Sequence, residues 1–197
     1  MKKLFIVSTF GFLICLLLSS CYDNPSATNN INDEFIRPLA IGNYWIYDID
    51  TTAVHHALFY SDTMRVVSYD NLNGNPAYGI KYNTGYTYYF NNKSDGQYYY
   101  EPMLHDTTYE YLPMLFMKYP ISINDTINIL FTYNLKCVST NATFNGFSGC
   151  IDLIPLEYGG DSTYFHSYWK PGIGFIGSDS YFLGRHHIDR LIAYRVN

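Results

Sequence analysis

Hydrophobic and polar residues alternate along much of this chain, which is the pattern of strands that bury one face. The longest example is Thr126–Cys137, where every second residue is suited to a core and most residues between them are polar. A shorter example places Trp45, Tyr47 and Ile49 on one face. A helix would instead repeat its apolar positions every three or four residues. The pattern therefore predicts an all-β, antiparallel body.

Clusters of Asn, Gly, Pro and Ser interrupt the alternating segments, and such clusters mark turns between strands. The clearest clusters are 71–76, 91–96 and 171–174. They divide the chain into about ten or eleven strands that form a single meander. Because so large a sheet curls or closes, we expect a strongly curved sheet, either a half-barrel or a barrel. No Gly/Ser-rich linker divides residues 35–197, so these residues are predicted to form a single β domain.

The composition excludes several classes of protein. Aromatic residues make up 19% of the 197 residues, and charged residues only 15%. Disordered chains are poor in aromatics, and helical bundles are rich in Ala, Glu, Lys and Leu, so neither class fits. Twelve Lys and Arg against 17 Asp and Glu give a formal net charge of −5. Since no basic cluster is available to meet phosphates, we expect no nucleic-acid partner.

The N-terminus has the pattern of an exported lipoprotein. After two lysines comes an apolar run of 15 residues, 4–18, which is shorter than the ~20 residues of a membrane span and suits a signal peptide. The next residues, Leu18-Ser19-Ser20-Cys21, resemble a bacterial lipobox. The resemblance implies that residues 1–20 are a signal peptide and that Cys21 is lipidated. An ordinary signal peptide with a chance cysteine is the alternative.

Lipidation at Cys21 would anchor the mature protein, so a membrane is one of its predicted partners. Residues 21–34 comprise this cysteine and a polar tether that we expect to be flexible. In Gram-negative bacteria an Asp directly after the lipidated cysteine favours retention at the inner membrane, and here that residue is Tyr22. We therefore expect a cell-envelope location, at the outer rather than the inner membrane. The side of that membrane stays open.

Two cysteines, Cys137 and Cys150, remain in the predicted domain, and an exported protein meets an oxidising compartment. They flank a turn-forming region, residues 141–146. If the two arms pair about residues 143 and 144, Cys137 lies opposite Cys150. We therefore expect a Cys137–Cys150 disulfide, which would contribute about 3 kcal/mol or less. Two free buried thiols are the alternative.

A tyrosine-rich hairpin is the most suggestive binding feature of the sequence. The six tyrosines singled out on its two arms are Tyr86, Tyr88 and Tyr89, followed by Tyr98, Tyr99 and Tyr100. Rings displayed on one face can stack on a sugar or contact another protein. The alternative is that they form cross-strand pairs that only stabilise the sheet, each by ~0.2–1 kcal/mol.

Motifs for catalysis, cofactor binding and metal ligation are missing from the sequence. It contains neither a Gly-x-Ser-x-Gly elbow nor a Gly-rich phosphate loop, so no enzyme activity and no cofactor are predicted. The histidine pairs at 55–56 and 186–187 would point to opposite faces of a strand, so neither pair can chelate one metal ion. We therefore predict no metal site.

Three segments resemble those of a group of short, uncharacterised all-β lipoproteins from Bacteroidota-like bacteria. Residues 38–47 match the pattern P-L-x-x-G-N-x-W-x-Y, and residues 169–174, W-K-P-G-I-G, match a turn before the closing strands. Residues 119–127 match a mid-chain element more loosely. The resemblance implies a curved antiparallel sheet, like the half-barrel of periplasmic lipoprotein carriers, which hold acyl chains in an apolar concavity.

These observations predict a membrane-anchored binding or scaffold module of the cell envelope, without catalytic activity. Its expected partner is a glycan, a lipid or another envelope protein. One alternative is a lipid or lipoprotein carrier, which an apolar cavity large enough for an acyl chain would favour. A second alternative is a hydrolase with an unrecognised site, which a cleft with convergent His and carboxylate groups would favour.

Overall fold

The computed structural model of the protein describes residues 34–52, 57–105, 108–129, 133–156, 164–182 and 185–197. Residues 1–33 lie outside this range, and with them the predicted signal peptide, Cys21 and nearly all of the tether. Twelve strands occur in the described residues: β1 (Tyr44–Thr52), β2 (Ala57–Leu72), β3 (Asn75–Tyr82), β4 (Thr87–Lys93), β5 (Gly96–His105), β6 (Thr108–Lys118), β7 (Thr126–Ile129), β8 (Tyr133–Phe144), β9 (Phe147–Pro155), β10 (Tyr164–Lys170), β11 (Gly174–Phe182) and β12 (Arg185–Arg195). The described part of the chain has no helix long and apolar enough to cross a membrane.

All twelve strands belong to one antiparallel sheet of order β6-β5-β4-β3-β2-β1-β12-β11-β10-β9-β8-β7. The first and last of the described strands, β1 and β12, pair with each other in the middle of this order. The edge strands β6 and β7 approach each other, so the sheet has the shape of a nearly closed barrel. The predicted all-β, strongly curved meander is confirmed, with twelve strands rather than ten or eleven.

The alternating segment Thr126–Cys137 is two strands rather than one. β7 ends at Ile129 and β8 begins at Tyr133, and the two strands pair antiparallel. Odd-numbered residues of β7 lie opposite odd-numbered residues of β8, so the two-residue repeat continues through the hairpin without a change of phase. Residues 130–132 are Leu-Phe-Thr, which contain none of the usual turn residues. The buried side was nevertheless predicted correctly, at Ile127, Leu135 and Cys137.

The predicted Cys137–Cys150 disulfide is absent from the structure, where both cysteines are free and buried. The register on which it depended is wrong. The turn between β8 and β9 is centred on Asn145 and Gly146, which both have positive φ, two residues later than expected. Cys137 therefore lies opposite Leu153, which is about 10 Å along β9 from Cys150. A disulfide requires Cα atoms closer than about 7 Å.

The inward-facing side chains of the sheet form two adjoining core clusters. The first surrounds Trp45, which is fully buried as predicted, and includes Ile80 and Ile176. The second includes Met117 and Leu153, both also at 0% exposure. Burying one such side chain contributes ~1.5–3 kcal/mol, so the two clusters account for much of the favourable free energy of folding.

The lower end of the barrel, defined here as the end at which β1 begins, is closed by the N-terminal segment, residues 35–43. The Gly172 N–H donates a hydrogen bond to the Phe35 carbonyl across this end. Asn43 is fully buried, and its Oδ1 accepts hydrogen bonds from the backbone N–H and from Nδ2 of Asn197, at 3.0 and 3.1 Å. Both ends of the described chain are therefore fixed beneath the barrel.

Candidate functional site

The tyrosine-rich hairpin predicted as a binding feature is formed by β4 and β5, with Tyr86 directly before β4. The six rings have different surroundings: Tyr99 and Tyr100 are buried, Tyr89 and Tyr98 are half-buried, and Tyr86 and Tyr88 are exposed. The ring planes of Tyr88 and Tyr99 meet at 54°, and those of Tyr89 and Tyr111 at 76°. This is cross-strand packing rather than a flat platform. Glycan or protein binding by these rings stays a prediction that the packing does not favour.

A second aromatic row lies on the outer face of β10, opposite to the face that carries the core residue Trp169. It consists of Tyr164, His166 and Tyr168, with Phe144 stacked on Tyr168 at a centroid distance of 4.2 Å and an angle of 10°. Rings stacked in this way turn their faces toward one another. The row therefore offers a sugar little more than the outer face of its terminal ring.

Two histidines of the outer face are each paired with a carboxylate. His166 Nδ1 is 2.8 Å from Asp152 Oδ1, and His186 Nε2 is 2.7 Å from Asp179 Oδ1. Within the described residues, no group of three or more His, Cys, Asp or Glu side chains is placed to hold a metal ion. His55 and His56 lie outside the described residues. The two pairs are neighbours on this face, because His166 of β10 lies directly opposite Asp179 of β11.

The candidate site is a cavity of about 280 Å³ inside the barrel. Most of its wall is aromatic or aliphatic, contributed by Tyr47, Ile49, Met64, Tyr82, Phe116, Trp169 and Phe175. Its charged lining residues are Arg37, Asp62 and Asp189. Small-molecule sites typically combine an apolar wall with a few polar groups in this way.

The two ends of the cavity differ in exposure. Ile49, Asp62 and Asp189 lie toward the upper ends of their strands and are partly exposed. Arg37, in the N-terminal segment at the lower end, is only 2% exposed. We infer that a ligand enters from the upper end and that Arg37 forms the inner end of the cavity.

Two segments that carry the family resemblance meet beside this cavity. The indole Nε1 of Trp45 donates a hydrogen bond to the Ile173 carbonyl at 2.7 Å, and the Tyr47 hydroxyl donates to the Phe175 carbonyl at 3.0 Å. Each bond joins residues 128 positions apart. The two bonds therefore hold β1 against the start of β11 and the turn before it, which shapes the cavity wall.

Arg37 is held by a chain of buried polar contacts. Its Nη2 donates to Gln97 Oε1 at 2.6 Å, and Gln97 Nε2 donates in turn to Asn92 Oδ1 at 3.0 Å. The guanidinium carbon lies 4.6 Å from the centre of the Phe90 ring. Gly174 provides the space, because a Cβ there would lie 2.9 Å from Cγ of Arg37. The side chain is thus fixed by contacts within the protein.

The charged groups of the cavity are strongly affected by burial. Burial lowers the pKa of Arg37, while the nearby hydroxyls of Tyr82 and Tyr47 raise it; an arginine nevertheless keeps its proton in proteins at neutral pH. Burial raises the pKa of Asp189, against a hydrogen bond from Ser178 Oγ at 2.7 Å that lowers it. The site therefore has a cation at its inner end and carboxyl groups near its entrance.

None of the three charged lining residues was predicted from the sequence. Arg37 carried the only usable signal, because it is a lone charge between Phe35-Ile36 and Pro38-Leu39. Asp62 and Asp189 can be assigned to the interior only when the strand pairing is known. Asp62 of β2 lies opposite Tyr47, and Asp189 of β12 lies opposite Ile49 on the other side of β1.

Comparison with known proteins gives likenesses of structure only. No protein-family model matches the chain, and no curated protein matches it. It is similar to a Bacteroides fragilis protein described as exported with a YmcC-like fold, at 13% identity and a TM-score of 0.45, over 82% of this chain and 99% of that one. A Parabacteroides distasonis protein described as a lipoprotein gives 10% identity and a TM-score of 0.45, over 82% and 98%. A LolA superfamily protein from Nitrosomonas europaea gives 8% identity and a TM-score of 0.26, over 85% and 90%. At these TM-scores the likenesses carry no conclusion about ligand or activity.

Proposed function

We propose that this protein is a lipid-anchored binding protein of the cell envelope, whose barrel interior takes up one small, mainly apolar ligand. The observation that carries the proposal is the cavity of about 280 Å³ with its aromatic and aliphatic wall. Apolar area removed from water contributes ~25 cal/mol per Å², so a wall of this kind favours an apolar ligand without further contacts.

The size of the cavity limits the ligand. A liquid water molecule occupies ~30 Å³, so a volume of 280 Å³ has room for roughly nine non-hydrogen atoms. A chain of about eight carbons fits, whereas the several long acyl chains of a bacterial lipoprotein do not. The cavity therefore supports binding of a small amphiphile better than it supports the alternative of a lipoprotein carrier.

A non-catalytic role is the proposal that best fits the lining of the cavity. The described residues that line it include neither a histidine nor a cysteine, and the remaining titratable groups are one arginine, two carboxyl groups and tyrosines. Nucleophilic catalysis by Ser or Cys relies on a base within hydrogen-bond reach. The two carboxyl groups accept hydrogen bonds within the protein, Asp62 from the Thr63 N–H and Asp189 from Ser178 Oγ. The two His–Asp pairs belong to the outer face instead.

The envelope location rests on the lipobox-like residues before Cys21 and on Tyr22 after it. Intact mass spectrometry of the protein from its own host tests this part of the proposal. We expect a mature chain that begins at Cys21 and carries diacylglycerol and acyl masses, recovered with the outer membrane. An unmodified chain would contradict lipid anchoring, and recovery with the inner membrane would contradict only the membrane assignment.

Binding is tested with 1-octanol by isothermal titration calorimetry. Because all of the described strands and cavity-lining residues lie after residue 33, the protein used runs from Tyr22 to Asn197. The variant Ile49→Phe fills the cavity, and Ile192→Phe makes the same change at a side chain that is 51% exposed. We expect Ile49→Phe alone to weaken binding, by about tenfold or ~1.4 kcal/mol. Equal affinities in all three proteins, or no binding at all, would contradict a ligand site in the barrel.

A further inference from the structure

Arg37 is a buried cation without an ionic partner in the part of the chain that the structure describes. Its side chain lines the cavity and is 2% exposed. Among the described residues, the nearest polar contacts of its guanidinium are neutral: Gln97 accepts one hydrogen bond, and Tyr82 contributes another. Its Nε is buried and has no hydrogen-bond partner. The two Nη atoms carry four N–H donors, which is more than these contacts use, so donors remain for a ligand.

The carboxyl groups of the cavity do not neutralise this charge. Neither Asp62 nor Asp189 forms an ion pair with Arg37 among the described residues. Asp62 Oδ1 instead accepts from the Thr63 backbone, and Asp189 Oδ2 accepts from Ser178. A buried charge normally has a partner, because removing it from water costs several kcal/mol.

The surroundings of Arg37 hold it in place at the wall of the cavity. Gln97, Phe90 and the space beside Gly174 fix its position from below. Arg37 also lines the cavity, together with Tyr47 and other ring-bearing side chains. In this low-dielectric setting a charge-assisted hydrogen bond is about twice as strong as a neutral one.

We propose that Arg37 is the receptor for the acid group of the ligand, and that the ligand class is a small carboxylate of about eight carbons, its carboxyl carbon included. This inference rests on the proposed function and names its ligand class. The carboxylate accepts from Arg37 at the inner end, and the tail lies along the aromatic wall. Asp62 and Asp189 near the entrance repel a carboxylate there, which orients the ligand with its acid group inward.

A carboxylate suits the site better than a phosphate group. The cavity holds roughly nine non-hydrogen atoms, and a phosphate would use about five of them. It would also bring up to two negative charges to a single arginine. A carboxylate needs three atoms and one positive charge, and its planar shape matches the guanidinium.

The test compares octanoate with 1-octanol, two probes of nearly equal length that differ in charge. Isothermal titration calorimetry at pH 7 measures both affinities in the protein from Tyr22 to Asn197, in Arg37→Met and in Arg65→Met. Arg65 is exposed and lies outside the cavity, so the two variants lose the same charge at different places. We expect the native protein and Arg65→Met to prefer octanoate by about tenfold, and Arg37→Met to lose that preference while it still binds 1-octanol.

Each result has one meaning. Equal affinities for octanoate and 1-octanol in the native protein would overturn the role of Arg37 and leave the apolar binding function standing. Binding of neither probe would overturn both proposals. If Arg37→Met does not fold, as judged by circular dichroism, Arg37→Lys replaces it. This variant keeps the charge but loses the planar donor set, so a preference reduced but still present supports the proposal, and an unchanged preference overturns the direct contact with the guanidinium.

Discussion

Replacement of Trp45 by Phe tests how the barrel is held together beside the cavity. Trp45 is fully buried, and its Nε1 donates to the Ile173 carbonyl at 2.7 Å. Phe retains an aromatic ring but has no donor, so a buried carbonyl loses its partner at a cost of ~1–3 kcal/mol. The smaller ring also leaves a void, which adds about 1 kcal/mol. We expect the free energy of unfolding to fall by roughly 2–4 kcal/mol.

Trp169→Phe is the matched control, because these are the two tryptophans of the chain and both are buried. The Trp169 Nε1 donates to Ser167 Oγ at 2.9 Å, only two residues away. A hydroxyl can rotate to another partner, so we expect a smaller loss of roughly 1–2 kcal/mol. Urea unfolding followed by circular dichroism gives both values and shows from the slope whether the transition stays two-state. A loss in Trp45→Phe no larger than that in Trp169→Phe would refute the reasoning.

Three further predictions concern the interior. Gly174→Ala should destabilise the protein by ~1–3 kcal/mol in urea unfolding, because residue 174 has a φ of +109° and its new Cβ would press on Arg37; a neutral substitution would contradict the packing. Burial raises the pKa of Asp189 in the folded state. Ionising this buried carboxyl group therefore lowers the free energy of unfolding; the loss is absent below the ordinary Asp pKa of about 3.9 and grows as pH rises through the raised pKa. Asp189→Asn should therefore stabilise the protein at pH 7, and this gain should shrink toward pH 3.5; a gain that does not vary with pH would contradict the assignment. In the protein from Tyr22 to Asn197, whose two cysteines are Cys137 and Cys150, both buried thiols should react with a thiol reagent only after denaturation in the absence of reductant, giving two thiols per molecule; no reactive thiol would indicate a disulfide.

The features of this fold that could be predicted are those that short stretches of the sequence determine. The cluster at 71–76 contains the observed turn, in which Asn73 and Gly74 have φ values of 53° and 86°. Trp45 is buried as its alternating pattern predicts. The hairpin between β7 and β8 was missed because residues 130–132 include no turn residue and the repeat keeps its phase.

The candidate site was missed because it depends on contacts between distant parts of the chain. Arg37 meets Gln97, 60 residues away. Asp62 and Asp189 reach the same cavity through strands on opposite sides of β1. The same limit explains the wrong cysteine register, since a shift of two residues in one turn decides whether Cys137 faces Cys150. Tyrosine density, the strongest local signal, instead marks side chains that mainly pack against one another.

The carboxyl pKa of bound octanoate tests the central claim most directly. Octanoate labelled with ¹³C at its carboxyl carbon reports its own protonation by NMR, independently of the titration of the protein. A carboxylate beside the Arg37 guanidinium should have its pKa lowered below that of free octanoate, whereas burial without a cation would raise it. The account predicts a lowered pKa in the native protein and a raised one in Arg37→Met. A raised carboxyl pKa in the native protein would contradict the account.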